Sequence, residues 1–153
     1  MKLMIACAIL VYTASAHAQT TDSRLTAADV EKVSGIKGIQ QVAPGSVIGA
    51  GPGLNFAGPD KKMVLMVNFG PAALYQSAKT KTIPLTNLPI LHAEVHGIGD
   101  EAFDSPPGPL QYVLYVRKGA NAISLTAYIA GKDKATLTID QLKQLAMIVV
   151  SRM

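Results

Sequence analysis

The chain has 153 residues, of which 49% are hydrophobic and 16% are charged, with a formal net charge of +4. This composition excludes a disordered or fibrous protein, and the length fits one globular domain that can fold without a metal or disulfide. The basic residues are scattered in pairs and form no dense stripe, so we expect no nucleic-acid partner.

The first 18 residues have the pattern of a secretory signal peptide. Lys2 follows the initiator methionine, Leu3 to Tyr12 is an almost unbroken apolar run, and Ala16-His17-Ala18 carries small residues at the cleavage positions. The run is too short to span a bilayer, which takes about 20 apolar residues. We therefore expect cleavage after Ala18, a periplasmic or secreted domain over 19–153, and no transmembrane anchor in the mature chain.

The single cysteine, Cys7, lies inside this predicted signal peptide. The mature protein would then contain no thiol, which excludes disulfides and cysteine-based catalysis. A lipid anchor on Cys7 is not expected, because no room is left before it for the apolar segment of a lipoprotein signal.

Capping patterns and apolar spacing predict three helices. The capping pairs are Thr26 with Asp29 and Thr138 with Gln141. In such a pair, the two side chains cap each other's backbone N–H groups at a helix start. We therefore predict a helix from Thr26 to Gly35, a short one from Pro71 to about Lys79, and a third over 139–152, where apolar residues recur every three or four positions.

Between the helices the apolar period changes to two, which predicts strands. The predicted strands are Met63–Phe69, Leu91–His96, Leu110–Val116 and Ala122–Ala130, and the Pro- and Gly-rich loops are 43–60, 82–89 and 104–109. The last two strands are joined through Gly119, which predicts a hairpin. Together these elements predict an α+β domain, with a mainly antiparallel sheet flanked by the N-terminal and C-terminal helices.

The segment Val47-Ile48-Gly49-Ala50-Gly51-Pro52-Gly53 matches the start of a dinucleotide-binding fingerprint. Such a site needs a buried strand before the glycines and a helix after them. Pro44-Gly45 leaves no room for the strand, and Gly58-Pro59 breaks any helix. We interpret the segment as a flexible glycine loop and expect no nucleotide or flavin cofactor.

His92, Glu94 and His96 alternate with apolar residues and would share one face of a strand. Two imidazoles and a carboxylate are a ligand set for zinc or another divalent ion, so these residues are candidate metal ligands and the basis of a hydrolytic alternative. The competing interpretation is a solvated polar face opposite a packed one. No serine lies in a nucleophile-elbow context, and no catalytic residue is assigned.

A third hypothesis is a small apolar ligand held between the sheet and the C-terminal helix. Met63, Met66, Tyr112 and Tyr128 are side chains that could adapt to such a ligand. An unfilled cavity beneath the helix over 139–152 would distinguish this hypothesis from simple core packing.

Gly97-Ile98-Gly99-Asp100-Glu101-Ala102-Phe103 precedes a predicted strand that ends in Val116-Arg117-Lys118-Gly119. This GxGDEA…VRKG pattern resembles that of small exported bacterial proteins of uncharacterised type, which are similar to Mog1/PsbP-like domains. The resemblance implies an antiparallel sheet with helices on both faces and an exported location. It implies no established activity or substrate.

The motif has a structural interpretation. We expect Gly99 to take a positive φ at a strand end, and Asp100 or Glu101 to pair with Arg117 or Lys118 on a neighbouring strand. This charge cluster would hold the strand register and perform no chemistry. The leading hypothesis is a non-enzymatic binding or envelope-accessory domain whose partner is an unknown protein or envelope component. The alternative is the divalent-metal site.

Overall fold

The computed structural model describes residues 22–81, 90, 92–105, 111–128 and 135–153. The predicted signal peptide and the predicted loop over 82–89 lie outside these residues. Within the described ranges, no helix combines the length and the apolar character needed to cross a membrane.

The described residues form an α+β fold with a seven-stranded sheet and three helices, as predicted. In chain order the elements are α1 (Ala27–Ser34), β1 (Gln40–Val42), β2 (Leu54–Ala57), β3 (Met63–Pro71), α2 (Ala72–Lys79), β4 (Ala93–Val95), β5 (Glu101–Ser105), β6 (Gln111–Lys118), β7 (Asn121–Tyr128) and α3 (Ile139–Ser151). The strands lie in the order β1-β2-β3-β7-β6-β5-β4, and every pair is antiparallel. The predicted hairpin is β6 and β7, in which Lys118 faces Asn121 across a turn where Gly119 has a φ of 57°.

The predicted caps of the first and last helices are present. Thr26 and Asp29 cap each other's backbone at the start of α1, and Gly35 ends that helix with a φ of 75°. Thr138 and Gln141 do the same at the start of α3. Pro71 ends β3 and caps α2 without a side-chain hydrogen bond, so α2 begins one residue later than predicted.

The main core lies on the sheet face that α1 and α3 cover. The α3 residues Leu142, Leu145, Ala146 and Val149 are completely buried against β6 and β7. The side-chain amide of Gln141 donates to the carbonyl oxygens at the end of α1, so the two helices also hold each other.

The opposite face has a smaller core under α2. Side chains alternate along β7, so Ile123 and Leu125 enter the main core whereas Ala122 faces α2. Tyr75 of α2 and Phe103 of β5 are buried there with ring centroids 5.0 Å apart. The sheet therefore carries helices on both faces, but α2 covers only part of its own.

Two predicted loops contain strands. Residues 54–57 form β2 inside the predicted loop over 43–60, and β5 extends through Asp104 and Ser105 into the predicted loop over 104–109. The Pro- and Gly-rich flanks of β2 hide it in the composition, and its pairing with β3 and the burial of Phe56 decide its conformation. Of the predicted strand Leu91–His96, Leu91 lies outside the described residues, and among the others β4 spans Ala93–Val95.

Candidate functional site

The glycine segment between β1 and β2 is a loop, as predicted, but hydrogen bonds hold its path. The N–H of Gly45 donates to the carbonyl oxygen of Ala50 at 3.0 Å, and the N–H of Ala50 donates to that of Val47 at 3.1 Å. A strand, β2, follows the glycines. A helix in that position would supply the positive dipole end that a dinucleotide pyrophosphate requires, and this loop therefore lacks that arrangement.

Asn55 anchors the loop from below. Its side chain is completely buried, and its amide nitrogen donates to the carbonyl oxygens of Gly51 and Gly53, each at 2.8 Å. Its amide oxygen accepts the N–H of Gly51 at 2.9 Å. These three hydrogen bonds fix the loop. If the loop moved away, the buried amide of Asn55 would be left without hydrogen-bond partners and out of reach of water, which costs free energy.

Tyr128, at the end of β7, ties the same loop to the sheet. Its hydroxyl donates to the carbonyl oxygen of Gly49 at 2.6 Å and lies 3.9 Å from the sulfur of Met66. Burial raises the pKa of the Tyr128 phenol above its ordinary value of 10.0. The loop is thus held at a fixed distance above the sheet.

Beside this loop lies a cavity of about 720 Å³. Its lining residues are Gly45, Ser46, Val47, Ile48, Lys61, Lys62, Met63 and Tyr128. Ser46 donates its hydroxyl to the carbonyl oxygen of Ala43 at 2.6 Å. Val47, Ile48 and Met63 supply aliphatic surface to the lining, and Lys61 and Lys62 are its charged residues. Ile48 is 99% exposed, although its side chain is β-branched and apolar. The volume falls in the range of small-molecule sites.

Lys61 occupies an unfavourable backbone conformation at the edge of this cavity. The turn that joins β2 to β3 is closed by the N–H of Lys61 on the carbonyl oxygen of Gly58 at 2.9 Å. Lys61 has a φ of 60°, and no other described residue except glycine has a positive φ. Glycine is the residue that this position favours, so a lysine there marks a position where function can outweigh backbone preference.

The two lysines differ in their electrostatic surroundings. Lys62 pairs with Asp60, its nitrogen 3.2 Å from the carboxylate. Within the described part of the chain Lys61 forms no ion pair. The cavity lining therefore includes a lysine whose charge is not neutralised by an ion pair within the described ranges.

Two of the four residues considered for an apolar ligand line this cavity. The cavity does not lie between the sheet and the C-terminal helix, where that ligand was expected. Met63 and Tyr128 line it on the sheet face opposite α3, and the four cavities described among these residues have no lining residue from α3. Tyr112 lies on the other face, where its hydroxyl donates to Asp104 at 2.7 Å. Burial and then this carboxylate raise the pKa of Tyr112 to about 12.

Of the candidate metal ligands, Glu94 lies on the edge strand β4, whereas His92 and His96 flank it, and the three have different environments. Glu94 faces Phe103 in the register of β4 and β5, and both Glu94 and His96 are exposed and line a separate cavity of about 340 Å³. Nowhere in the described ranges do three His, Cys, Asp or Glu side chains group closely enough to hold a metal ion. The metal hypothesis gains no support from this geometry and stays a prediction.

His92 packs as an aromatic residue. Its ring centroid lies 4.5 Å from that of Phe103, which also stacks on Tyr115 at 4.9 Å. Both ring nitrogens of His92 are shielded from solvent, and neither has a hydrogen-bond partner among the residues that the structure describes. His92 is therefore turned toward the core under α2.

The charged motif residues come together across β5 and β6. Glu101 accepts from the Arg117 guanidinium at 3.0 Å, and Asp100 lies 3.6 Å from Arg117 and 3.5 Å from the Lys118 nitrogen. The Asp100 carboxylate also accepts the N–H of Gly119 at 2.7 Å, and this hydrogen bond is the main cause of its lowered pKa. The ion pairs that the sequence predicts are present, and their role in strand register stays a prediction.

Gly99 has the positive φ expected of it, at 61°. A Cβ atom at this position would overlap the backbone carbonyl oxygen of Arg117 and come within 2.7 Å of a Val116 methyl group. Gly99 thus allows the chain to approach β6 closely, so that the N–H of Asp100 reaches the same Arg117 oxygen at 2.8 Å.

Comparisons with known proteins find no family model, no curated protein and no solved structure that matches this chain. Sequence reasoning did not select Ile48, Lys61 or Lys62 as site residues. The available signal was an adjacent apolar pair, Val47-Ile48, inside a Gly-rich loop, together with two lysines after a Gly-Pro-Asp turn.

Proposed function

We propose that this protein is an exported, non-enzymatic binding module that acts in the bacterial periplasm or outside the cell. The observation that carries the binding role is the cavity beside the glycine loop. Its walls are held in place before any ligand arrives, by Asn55 below the loop and by Tyr128 at its side. A preorganised site loses less entropy on binding than one that must order itself.

The cavity lining supports binding more than chemistry. Its titratable side chains are Lys61, Lys62 and the Tyr128 phenol, whose hydroxyl is engaged with Gly49. Hydrolytic catalysis usually needs an acid and a base of matched pKa or an activated nucleophile beside a base. Apolar walls with a few polar groups are the usual composition of a site that holds a small molecule.

Export is proposed from the signal-peptide pattern of the first 18 residues. Cell fractionation tests it directly: we expect the protein outside the cytoplasm, with an intact mass that corresponds to residues 19–153. Full-length protein confined to the cytoplasm would contradict this part of the proposal.

Native mass spectrometry tests the binding role. The protein is purified from the exported fraction without chelator or detergent, and we expect a population that carries an additional small-molecule mass. A bare polypeptide mass in every preparation would contradict the proposal. An added mass of a divalent metal, lost in both His92→Ala and His96→Ala, would instead support the metal-site alternative.

A further inference from the structure

We propose that the cavity beside the glycine loop binds a single-chain amphiphile with an anionic head group, such as a fatty acid. This inference rests on the proposed binding function and specifies its ligand class. Its basis is the juxtaposition, in one cavity, of an apolar lining with the ammonium group of Lys61, which forms no ion pair with any residue that the structure describes.

The apolar part of the site accounts for the tail. Val47, Ile48 and Met63 supply aliphatic surface, and the 99% exposure of Ile48 leaves a large apolar area in water until a ligand covers it. Methionine side chains adjust to irregular shapes, and Met66 lies beside Tyr128 at the same end of the sheet. A flexible alkyl chain fits such a lining better than a rigid polar molecule does.

The charged part of the site accounts for the head group. Lys62 already has a carboxylate partner in Asp60, whereas Lys61 has none among the described residues, so Lys61 is the lysine that we assign to the head group. Lys61 has a φ of 60°, a conformation that glycine would adopt with less strain, and such strain is often found at residues that contact a ligand. A carboxylate at this edge gains an ion pair together with a charge-assisted hydrogen bond from Lys61, whereas a cationic head group is repelled by the same charge.

The scaffold explains why the site can hold a ligand of this kind without refolding. Gly51 and Gly53 bring the loop so close to β3 that a Cβ at Gly53 would overlap the carbonyl oxygen of Val67. Asn55 then satisfies the backbone groups of both glycines. The wall is thus attached to the sheet while Ile48 projects from it into solvent.

Isothermal titration calorimetry tests the proposal with sodium dodecanoate and with dodecyltrimethylammonium, both below their micellar concentrations. We expect one dodecanoate per protein, and binding of the cationic amphiphile weaker by about tenfold or more, because the two probes share a tail and differ in head-group charge. Equal binding of the two probes would overturn the assignment of the head group.

Three variants separate binding from folding. Ile48→Ser should weaken dodecanoate binding by about fivefold or more without changing Tm, because the side chain is exposed in the free protein. Lys61→Gln should weaken it to a similar extent, because it removes the charge and leaves a polar side chain in place. Lys143→Gln makes the same change of net charge on α3, away from the cavity, and should stay within about twofold of the wild type.

No binding of dodecanoate, or unchanged affinity in both Ile48→Ser and Lys61→Gln, would overturn the ligand class. If native mass spectra nevertheless showed a bound molecule of another class, the binding function would stand and only its ligand would change. Absence of both signals would refute the two proposals together.

Discussion

Gly99 shows how one backbone position controls the approach of two chain segments. It combines a φ of 61° with contact so close that any side chain would meet the Arg117 carbonyl oxygen. Gly97, two residues earlier, has a similar φ of 83° but open space around the position of a Cβ. Comparing substitutions at Gly97 and Gly99 therefore separates the energetic cost of a positive φ from the cost of steric overlap.

We expect Gly97→Ala to lower the free energy of unfolding by about 1 kcal/mol, which is the conformational cost of a positive φ. Gly99→Ala should lower it by about 2–4 kcal/mol, because the overlap with backbone cannot be relieved by a rotamer change. Urea unfolding followed by circular dichroism measures both variants. Equal losses would show that the close approach to Arg117 contributes nothing.

Among the elements, β5 and β6 are joined by the charge cluster as well as by their backbone ladder. Arg117 contacts both Asp100 and Glu101, and Lys79 of α2 lies 3.9 Å from Glu101. These groups are partly exposed, so each ion pair alone contributes little to the free energy of unfolding. As a network, the pairs can specify the register of β5 against β6.

We expect Arg117→Ala to lower the free energy of unfolding by about 1 kcal/mol and to leave dodecanoate affinity unchanged, because the cavity lies at another part of the sheet. Lys118→Ala is the matched control: its nitrogen is 3.5 Å from Asp100, its only partner among the described residues. Lys118→Ala should lower the free energy of unfolding by less than Arg117→Ala does. A stable Arg117→Ala protein with impaired binding would contradict the structural role.

The helices α1 and α3 are linked at both ends. Gln141 caps the end of α1, and Arg152, just after α3, holds the Asp29 carboxylate with hydrogen bonds of 2.7 and 3.1 Å. The hydrogen bond from Arg152, assisted by those from Thr26, lowers the pKa of Asp29 to about 2. The first and last helices of the domain are thus connected through the partly buried carboxylate of Asp29.

This link predicts a loss of stability in acid. A carboxyl group whose pKa is lowered on folding stabilises the native state above its ordinary value, here 3.8, and loses that contribution as the pH falls toward 2. Thermal unfolding measured between pH 5 and pH 2 should show this decline. Arg152→Ala should make it shallower, and Arg152→Lys should restore part of it, whereas an identical profile in Arg152→Ala would contradict the assignment.

For the molecule as a whole, the two sheet faces are covered to different extents. The α1 and α3 face is closed by completely buried side chains, whereas the opposite face is shared by α2 and the glycine loop. A further cavity of about 670 Å³, lined by Pro52, Leu74 and Tyr115 among others, separates that loop from α2. The proposed function belongs to the incompletely covered face, because a closed core leaves no room for a ligand.

Tyrosines on both faces predict a loss of stability in alkali. Burial raises the pKa values of Tyr75, Tyr112, Tyr115 and Tyr128, that of Tyr112 to about 12. A group whose pKa is raised on folding stabilises the protein fully below its unfolded value, here 10.0, and ceases to do so as the pH rises through the folded value. The free energy of unfolding, measured with urea, should therefore fall between pH 10 and pH 12. Tyr112→Phe should make the free energy of unfolding fall less steeply with pH. An unchanged slope in this variant would contradict the assignment to Tyr112.

The helices and long strands were predictable because their signals are local. Thr26, Asp29, Thr138 and Gln141 identify helix starts through hydrogen bonds within one turn, and the hairpin of β6 and β7 follows from alternation around Gly119. The strand β2 was not predictable in this way. Its four residues lie among glycines and prolines, and pairing with β1 and β3 makes them a strand.

The candidate sites show the same division. Alternation placed His92 and Glu94 on one side of β4, but the packing of His92 on Phe103 depends on β5 and α2, which lie elsewhere in the chain. The ion pairs of Arg117 were predictable because opposite charges flank strands that the motif itself suggests. The cavity was not, because Ile48, Lys61 and Tyr128 meet only when β2, β3 and β7 are assembled.

The amino-acid sequence alone therefore determined the α+β class, the capped helices and the charged strand ends, since each arises from residues within a few positions of one another. The assembled sheet decided which apolar segments remain uncovered and which lysine borders them. That outcome depends on long-range pairing, in which Tyr128 reaches Gly49 across 79 residues of chain. Local patterns carry no information about such a contact, because its partners are selected by the order of the strands in the sheet.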